Sequence, residues 1–144
     1  SLIGSEPVAV MANSISSDRR DVVSEDSVII TIHYADGSLA TIQYLAEGHK
    51  DLPKERCEVF AAGQSAVMDN FSSTEFFGMD AKNLRGKQAK GFTEELGAFL
   101  AVCRNGGAWP ISWESLVATH RVCFGALRSL DTGAMVTIPA PELV

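Results

Sequence analysis

The sequence predicts an α+β fold, with an open, mainly antiparallel sheet and two principal helices packed on one face of it. Three features of the sequence predict this class. The first half alternates β-branched and aromatic runs with turn residues, the second half places apolar residues at helical spacing, and a glycine follows each helical segment. Strands followed by helices are typical of α+β domains. A chain of 144 residues has the size of one domain, so we expect residues 1–144 to form a single domain.

The strand-rich half opens with a short predicted strand at residues 8–13, followed by a polar loop at residues 14–26. The strongest local signal comes next, at residues 28–46, where two β-branched and aromatic runs flank Asp36-Gly37. This dipeptide favours a type I′ hairpin turn. The sequence therefore predicts a hairpin centred on these two residues.

A two-residue turn at Asp36-Gly37 would place Tyr34 nearly opposite Leu39 and divide the side chains of this hairpin between two faces. One face would carry Val28, Ile30, Ile32, Tyr34, Leu39 and Leu45, and the other Ile29, Thr31, His33, Ala40, Ile42 and Tyr44. Neither set is mainly polar. A sheet with one wet face alternates more cleanly than this, so we expect both faces to be at least partly covered.

A second hairpin is predicted from residues 56–62 and 65–71, with its turn near Gly63-Gln64, and short strands at 75–78 and 83–87 continue it. It contains the residues that could form a reactive site: Cys57 as a nucleophile, or Glu58 and Asp69 as a carboxylate pair. With this turn, Glu58 and Asp69 lie nearly opposite on one face, where like charges repel.

Arg56 points from the same face and can compensate those two carboxylates. We therefore favour a solvated, arginine-compensated charge cluster over an acid–base dyad. Cys57 points the opposite way, beside Val59 and Met68, where packing is favoured over nucleophilic attack.

The first helix is predicted to start near Thr93, with two glutamates in its first turn, and to end at Gly106-Gly107. The second helix is predicted to have Ser112 as its N-cap and Gly133 as its C-cap. Apolar residues at helical spacing predict which face of the second helix is buried. This stripe consists of Leu116, Val117, His120, Cys123, Phe124, Leu127 and Leu130.

Charge and composition exclude several classes of protein. A net charge of -6 argues against nucleic-acid binding, because affinity for phosphate depends on clustered Lys and Arg. No signal peptide and no apolar run near the ~20 residues of a membrane span occur in the sequence, so no membrane partner is expected. The three cysteines lack the spacing of a zinc site and are interpreted as reduced thiols of a cytoplasmic protein, with Cys103 and Cys123 packed in the core.

Motifs that would supply catalysis or bind a cofactor are absent from the sequence. No two of His33, His49 and His120 have the spacing of a metal-binding pair, and neither GxGxxG nor GxxxxGK[ST] occurs. The prediction is therefore no catalytic residue, no cofactor-binding residue and no metal ligand within these 144 residues.

A basic cluster, Lys82, Arg85, Lys87 and Lys90, precedes the first helix. One interpretation is a solvated edge strand that lysines protect from pairing. The other is a contact for an acidic partner or an acidic group of a substrate. The sequence leaves both interpretations open.

Five segments, in a consistent order along the chain from about Gly4 to about Thr137, resemble the C-terminal domain of the Gfo/Idh/MocA oxidoreductases. They are GSEPVAV, VIITIHYADGSLATIQYLAEG, LPKERCEVFAAGQSAVMDNF, KGFTEELGAFLAVCRNGG and ISWESLVATHRVCFGALRSLDTG. Among these proteins, the chain looks closest to the two-part branch that also carries a zinc-type alcohol dehydrogenase-like region. The chain opens at Ser1 without an initiator methionine, so we expect that residue 1 is not the start of the natural protein.

The resemblance implies an N-terminal Rossmann domain, absent from this chain, that binds NAD or NADP in the parent protein. It implies that the open sheet face forms a homo-oligomer interface, and that the acid–base residues lie in a lysine-proline motif and an Asp-x-x-x-His helix. Neither motif occurs here. Only Lys87 and Lys90 remain as candidates for lining the substrate cleft.

The preferred hypothesis is a substrate-side and oligomerisation domain of an NAD(P)-dependent oxidoreductase that acts on a sugar or sugar-derived hydroxyl. The parent protein would be a dehydrogenase acting on a small-molecule substrate, and this chain alone would be inactive and bind no cofactor. The alternative is a free-standing binding or dimerisation module without enzymatic activity. A small hydrolase that uses Cys57 is the third hypothesis.

Overall fold

The computed structural model describes residues 2–15 and 26–140. The strands are β1 (Pro7–Ser14), β2 (Ser27–Tyr34), β3 (Leu39–Leu45), β4 (Arg56–Ala61), β5 (Gln64–Asp69), β6 (Ser73–Phe77), β7 (Leu84–Arg85) and β8 (Val136–Thr137), and the helices are α1 (Phe92–Asn105) and α2 (Trp113–Thr132). The strands form two open, antiparallel four-stranded sheets. The predicted α+β class with open antiparallel sheet is confirmed. Residues 16–25 of the predicted polar loop lie outside the described residues.

The chain divides into two compact units. The first contains residues 1–47 and 108–144, and the second contains residues 48–107. Neither helix of the described ranges combines the length and the apolar character needed to cross a bilayer.

In the first unit, α2 packs on one face of a sheet with the strand order β3-β2-β1-β8. Both ends of α2 are as predicted: the Ser112 side chain accepts a hydrogen bond from the Ser115 amide, and Gly133 has a φ of 65°. The core is small. It consists of Val10, Ala12, Ile32, Ala126 and Ile138.

The face that α2 turns toward the sheet is made of small side chains. Gly125, Ala126 and Ser129 are buried, and a Cβ on Gly125 would lie 2.8 Å from Val10 Cγ1. This approach is possible because glycine has no side chain. The predicted buried stripe is therefore only partly right. Val117 and Leu130 are half-buried, whereas these five are exposed: Leu116, His120, Cys123, Phe124 and Leu127.

The hairpin of β2 and β3 forms as predicted, but its register differs by one residue. His33 lies opposite Leu39, and the Tyr34 amide donates to the Ser38 carbonyl at 3.0 Å. The loop between this last pair therefore has three residues, 35–37, and it ends at Gly37, which has a φ of 86°. The Gly37 amide donates to the Tyr34 carbonyl at 3.0 Å. This hydrogen bond and the left-handed glycine are typical of a three-residue hairpin loop, in which a type I turn is followed by a residue with positive φ. A shift of one residue moves every β3 side chain to the other face.

The corrected register defines the sheet face that α2 leaves open. This open face, which carries His33 and Thr31 of β2, has exposed apolar side chains at Ile29, Leu39 and Leu45. Ala40, which a two-residue turn would place on this side, packs against the core instead. The sequence predicted that both faces of this sheet are at least partly covered. Within the first unit, α2 packs on the opposite face and does not cover this one.

The second unit contains a sheet with the strand order β4-β5-β6-β7 and the helix α1. The described residues of α1 include none that is fully buried, and its apolar residues Phe92 and Leu96 are exposed. Cys103 on α1 is exposed, as is Cys123 on α2, so the prediction that both pack in the core is wrong. The helical spacing of these cysteines is real, but each lies on the side of its helix that remains open.

Candidate functional site

The hairpin of β4 and β5 turns at Ala62-Gly63, where both residues have positive φ, 49° and 75°. These angles fit a two-residue type I′ turn. Arg56 therefore lies opposite Asp69, and the register differs by two residues from the one predicted with Gly63-Gln64 as the turn. Because a shift of two residues preserves the faces, Cys57 and Met68 lie on the same side, as predicted, away from the charged residues. The pairing of Cys57 directly opposite Met68 belongs to the observed register.

The charged face of this hairpin forms an ion pair rather than a carboxylate dyad. Arg56 Nε lies 2.8 Å and Arg56 Nη2 2.6 Å from Glu58 Oε1. Asp69, on the neighbouring strand, lies opposite Arg56. Both members of the Arg56–Glu58 pair are solvent-exposed, so water screens this pair and it contributes little to stability. The arginine compensation predicted for Glu58 is confirmed.

The turn between β5 and β6 has an unusual backbone. Asn70 and Phe71 have φ angles of 48° and 53°. Asparagine tolerates this region, but an aromatic residue rarely adopts it. A backbone hydrogen bond holds this turn to the residue before β4: the Asn70 amide donates to the Glu55 carbonyl at 2.6 Å.

Residues 86–90, which we call the strap, lie along this turn. The Gly86 amide donates to the Ser72 carbonyl at 2.8 Å, and the Ala89 amide donates to the Phe71 carbonyl at 3.2 Å. The Gln88 side chain donates to Asn70 Oδ1 at 3.0 Å. Turn and strap are thus joined by both backbone and side-chain hydrogen bonds.

The two lysines that the sequence indicated both belong to the strap but differ in their contacts. Lys90 Nζ lies 3.4 Å from Glu55 Oε1, and each side chain is about 40% exposed. Lys87 is exposed, and its ammonium has no partner within residues 2–15 and 26–140. In the rest of the basic cluster, Arg85 Nη2 lies 3.7 Å from Glu75 Oε1. Lys82 is exposed.

Sequence reasoning missed Glu55, Asn70 and Gln88, which connect the turn to the strap. Their only sequence signal is Asn70, a residue type that favours left-handed turn positions. Glu55 and Gln88 are 33 residues apart in the chain, so no local pattern connects them.

A shallow cleft in the first unit was also not predicted. It has a volume of about 190 Å³ and lies between the start of β1, the first half of α2 and the residues after β8. Its lining is mainly apolar, and it includes Glu6, Glu114 and Arg121. Arg121 Nη1 donates to the Pro139 carbonyl at 3.2 Å, so this guanidinium is partly engaged by the protein itself.

Two residues near the first hairpin turn have shifted acidities. The Ser38 amide donates to Asp36 Oδ1 at 3.0 Å, and this backbone hydrogen bond lowers the pKa of Asp36. Burial raises the pKa of Tyr34. Both residues belong to the hairpin.

The described residues contain no group of three or more His, Cys, Asp or Glu side chains that could hold a metal ion.

No protein-family model matches the sequence, and no curated protein matches it significantly. Solved structures do match. An NAD-binding oxidoreductase from Klebsiella pneumoniae has a TM-score of 0.73 at 16% identity, over 94% of this chain and 46% of that one. A myo-inositol dehydrogenase from Corynebacterium glutamicum has a TM-score of 0.64 at 20% identity, over 94% and 44%. A UDP-N-acetylglucosamine 3-dehydrogenase from Acidithiobacillus ferrooxidans has a TM-score of 0.65 at 17% identity, over 88% and 40%.

These structures define the class of fold: the chain is similar to part of several oxidoreductases and dehydrogenases. The fold that the resemblance implied is thereby confirmed. The chain spans less than half the length of each of these three proteins.

Proposed function

We propose that this chain is the C-terminal, substrate-side and oligomerisation domain of an NAD(P)-dependent oxidoreductase. The observation that carries the proposal is the unequal coverage: 94% of this chain is similar to only 46% of an NAD-binding oxidoreductase. A fold that accounts for one part of a dehydrogenase leaves cofactor binding to the other part. The chain on its own would then be inactive.

The glycine pattern supports the assignment of cofactor binding to a domain other than this one. Dinucleotides are bound at a strand-to-helix turn with the spacing GxGxxG, where backbone amides approach the pyrophosphate. This spacing does not occur in the 144 residues. A Rossmann domain encoded before Ser1 would supply it, together with the acid–base residues.

The substrate that we propose is a sugar or a sugar-derived hydroxyl compound. Two of the similar structures are named for such compounds, a myo-inositol dehydrogenase and a UDP-N-acetylglucosamine 3-dehydrogenase. At identities of 17% and 20% these names support a substrate class, not a particular substrate.

The oligomerisation role rests on the open face of the first sheet. Ile29 is 44%, Leu45 56% and Leu39 62% exposed there. Apolar side chains grouped on one uncovered sheet face are typical of a surface that another protein covers. A second copy of the chain would bury them.

The coding sequence before Ser1 gives the first test. The proposal expects a GxGxxG strand-turn-helix unit within about 150 residues upstream, which is the size of one domain. The joined protein should then transfer hydride between NAD(P) and a sugar alcohol or sugar. An upstream region without such a unit would contradict the proposal and favour a free-standing binding or dimerisation module.

A further inference from the structure

The strap, residues 86–90, is held against the turn that precedes β6 along nearly its whole length. The amides of Gly86 and Ala89 bond to the turn, and the side chains of Gln88 and Lys90 bond to Asn70 and Glu55. Lys87 is the exception. Its ammonium is the one polar side-chain group of the strap without a partner in the described part of the chain.

The other cations of the second unit help to show what is special about Lys87. Arg56, Arg85 and Lys90 each have a carboxylate partner, at 2.6, 3.7 and 3.4 Å respectively. The remaining cations of this unit have no such partner among the described residues, but all of them lie outside the strap: Lys50 and Lys54 before β4, Lys82 between β6 and β7, and Arg104 on α1. Lys87 combines an available charge with a backbone that is fixed on both sides.

We propose that Lys87 binds an anionic group of the substrate, a carboxylate or a phosphate carried by a sugar, and that Glu55 and Gln88 position it by fixing the strap. This inference rests on the proposed function, because it assigns the site to the substrate side of that enzyme. A fixed backbone lowers the ordering cost of binding. An ammonium suits either anion, because it acts as a point charge with rotatable donors.

Amide chemical shifts of the ¹⁵N-labelled chain test the proposal with three probes at constant ionic strength: glucuronate, glucose 1-phosphate and glucose. The expected shifts lie at the strap and the Asn70–Ser72 turn, with at least one of the two anionic probes and not with glucose. Which anion is effective distinguishes a sugar acid from a sugar phosphate. Lys87→Gln should weaken that binding about tenfold, the effect of one charge-assisted hydrogen bond.

Lys82→Gln is the matched control, because it removes the same charge from the same basic cluster but outside the strap. It should leave the affinity within about twofold, since a charge that makes no direct contact is screened by water and salt. If both variants weakened anion binding equally, Lys87 would act only through the overall positive charge of the cluster, and the proposal would be overturned. Anion-induced shifts elsewhere in the chain, or none at all, would overturn it as well.

The positioning role has its own readout. Glu55→Gln and Gln88→Ala should each weaken anion binding when Lys87 is present and have no further effect in the Lys87→Gln background, since positioning acts only through that lysine. Additive losses would show that these two residues act independently of Lys87. None of these variants touches cofactor binding, so failure here leaves the proposed division between domains to be judged by its own tests.

Discussion

The Ser129 hydroxyl accepts a hydrogen bond from the Ala12 amide at 2.9 Å, which ties the last turns of α2 to β1. The same hydroxyl donates to the Ala134 carbonyl at 2.7 Å. Ser129 is completely buried and Ala12 is 1% exposed. One side chain thus satisfies two backbone groups at the point where helix and sheet meet.

Ser129→Ala should lower the free energy of unfolding by about 1–3 kcal/mol, because it leaves the Ala12 amide and the Ala134 carbonyl without this partner. Urea unfolding measures the loss. Thr132→Ala is the matched control, since Thr132 is exposed and its hydroxyl donates to the Arg128 carbonyl of its own helix. The control should change stability by no more than about 0.5 kcal/mol. Equal losses would show that the contact to β1 has no special weight.

Gly125→Val should destabilise the protein by about 1–3 kcal/mol through overpacking. A Cβ at this position would lie 2.6 Å from Ile138 Cδ1 and 2.8 Å from Val10 Cγ1. Gly97→Val makes the same change on α1, where a Cβ would have no described atom within 4 Å beyond its own helix backbone, and should be nearly neutral. Thermal unfolding of the two variants compares them. A Gly125 variant as stable as the Gly97 variant would contradict the close helix–sheet approach.

Leu39→Lys should convert the proposed oligomer to a monomer, because it places a charge on the open sheet face. Static light scattering at high protein concentration measures the mass. Leu52→Lys is the control, since Leu52 is 65% exposed, close to the 62% of Leu39, but lies in a loop. A wild-type chain that is strictly monomeric, or a Leu52 variant that dissociates equally, would count against the interface.

Asp36 should titrate at a lower pH in the folded chain than in the urea-unfolded chain. The Ser38 amide stabilises its ionised form, which lowers its pKa below the ordinary value of 3.8. A lowered folded pKa adds stability that is present above pH 3.8 and is lost as the pH falls through the folded pKa. The ¹³C shift of the Asp36 carboxyl group measures both midpoints. Equal midpoints in the two states would contradict this hydrogen bond.

The two hairpins show how far the sequence can predict a sheet. Both were correctly located from β-branched runs and turn residues. In the first, the Asp36-Gly37 pair occurs within a three-residue loop, so the register shifted by one residue and the faces of β3 were exchanged. In the second, the shift was two residues, because Ala62 adopts a left-handed conformation that no local pattern indicates, and the faces stayed correct.

The helix ends were predictable, whereas the buried face of α2 was not. Ser112 and Gly133 act through local hydrogen bonds that their residue types favour. Which face packs depends on the sheet, and here small residues such as Gly125 allow a close approach. The strap escaped prediction for a similar reason: the contact between Glu55 and Lys90 exists only once two distant segments meet.

A titration of the purified 144-residue chain with NADH and NADPH, followed by nucleotide fluorescence, tests the central claim most directly. The claim is that this chain supplies the substrate side of a dehydrogenase and leaves the cofactor to another domain. The expected result is no saturable binding by this chain and saturable binding by the protein that includes the upstream region. Micromolar binding of either nucleotide by the 144-residue chain itself would contradict the claim.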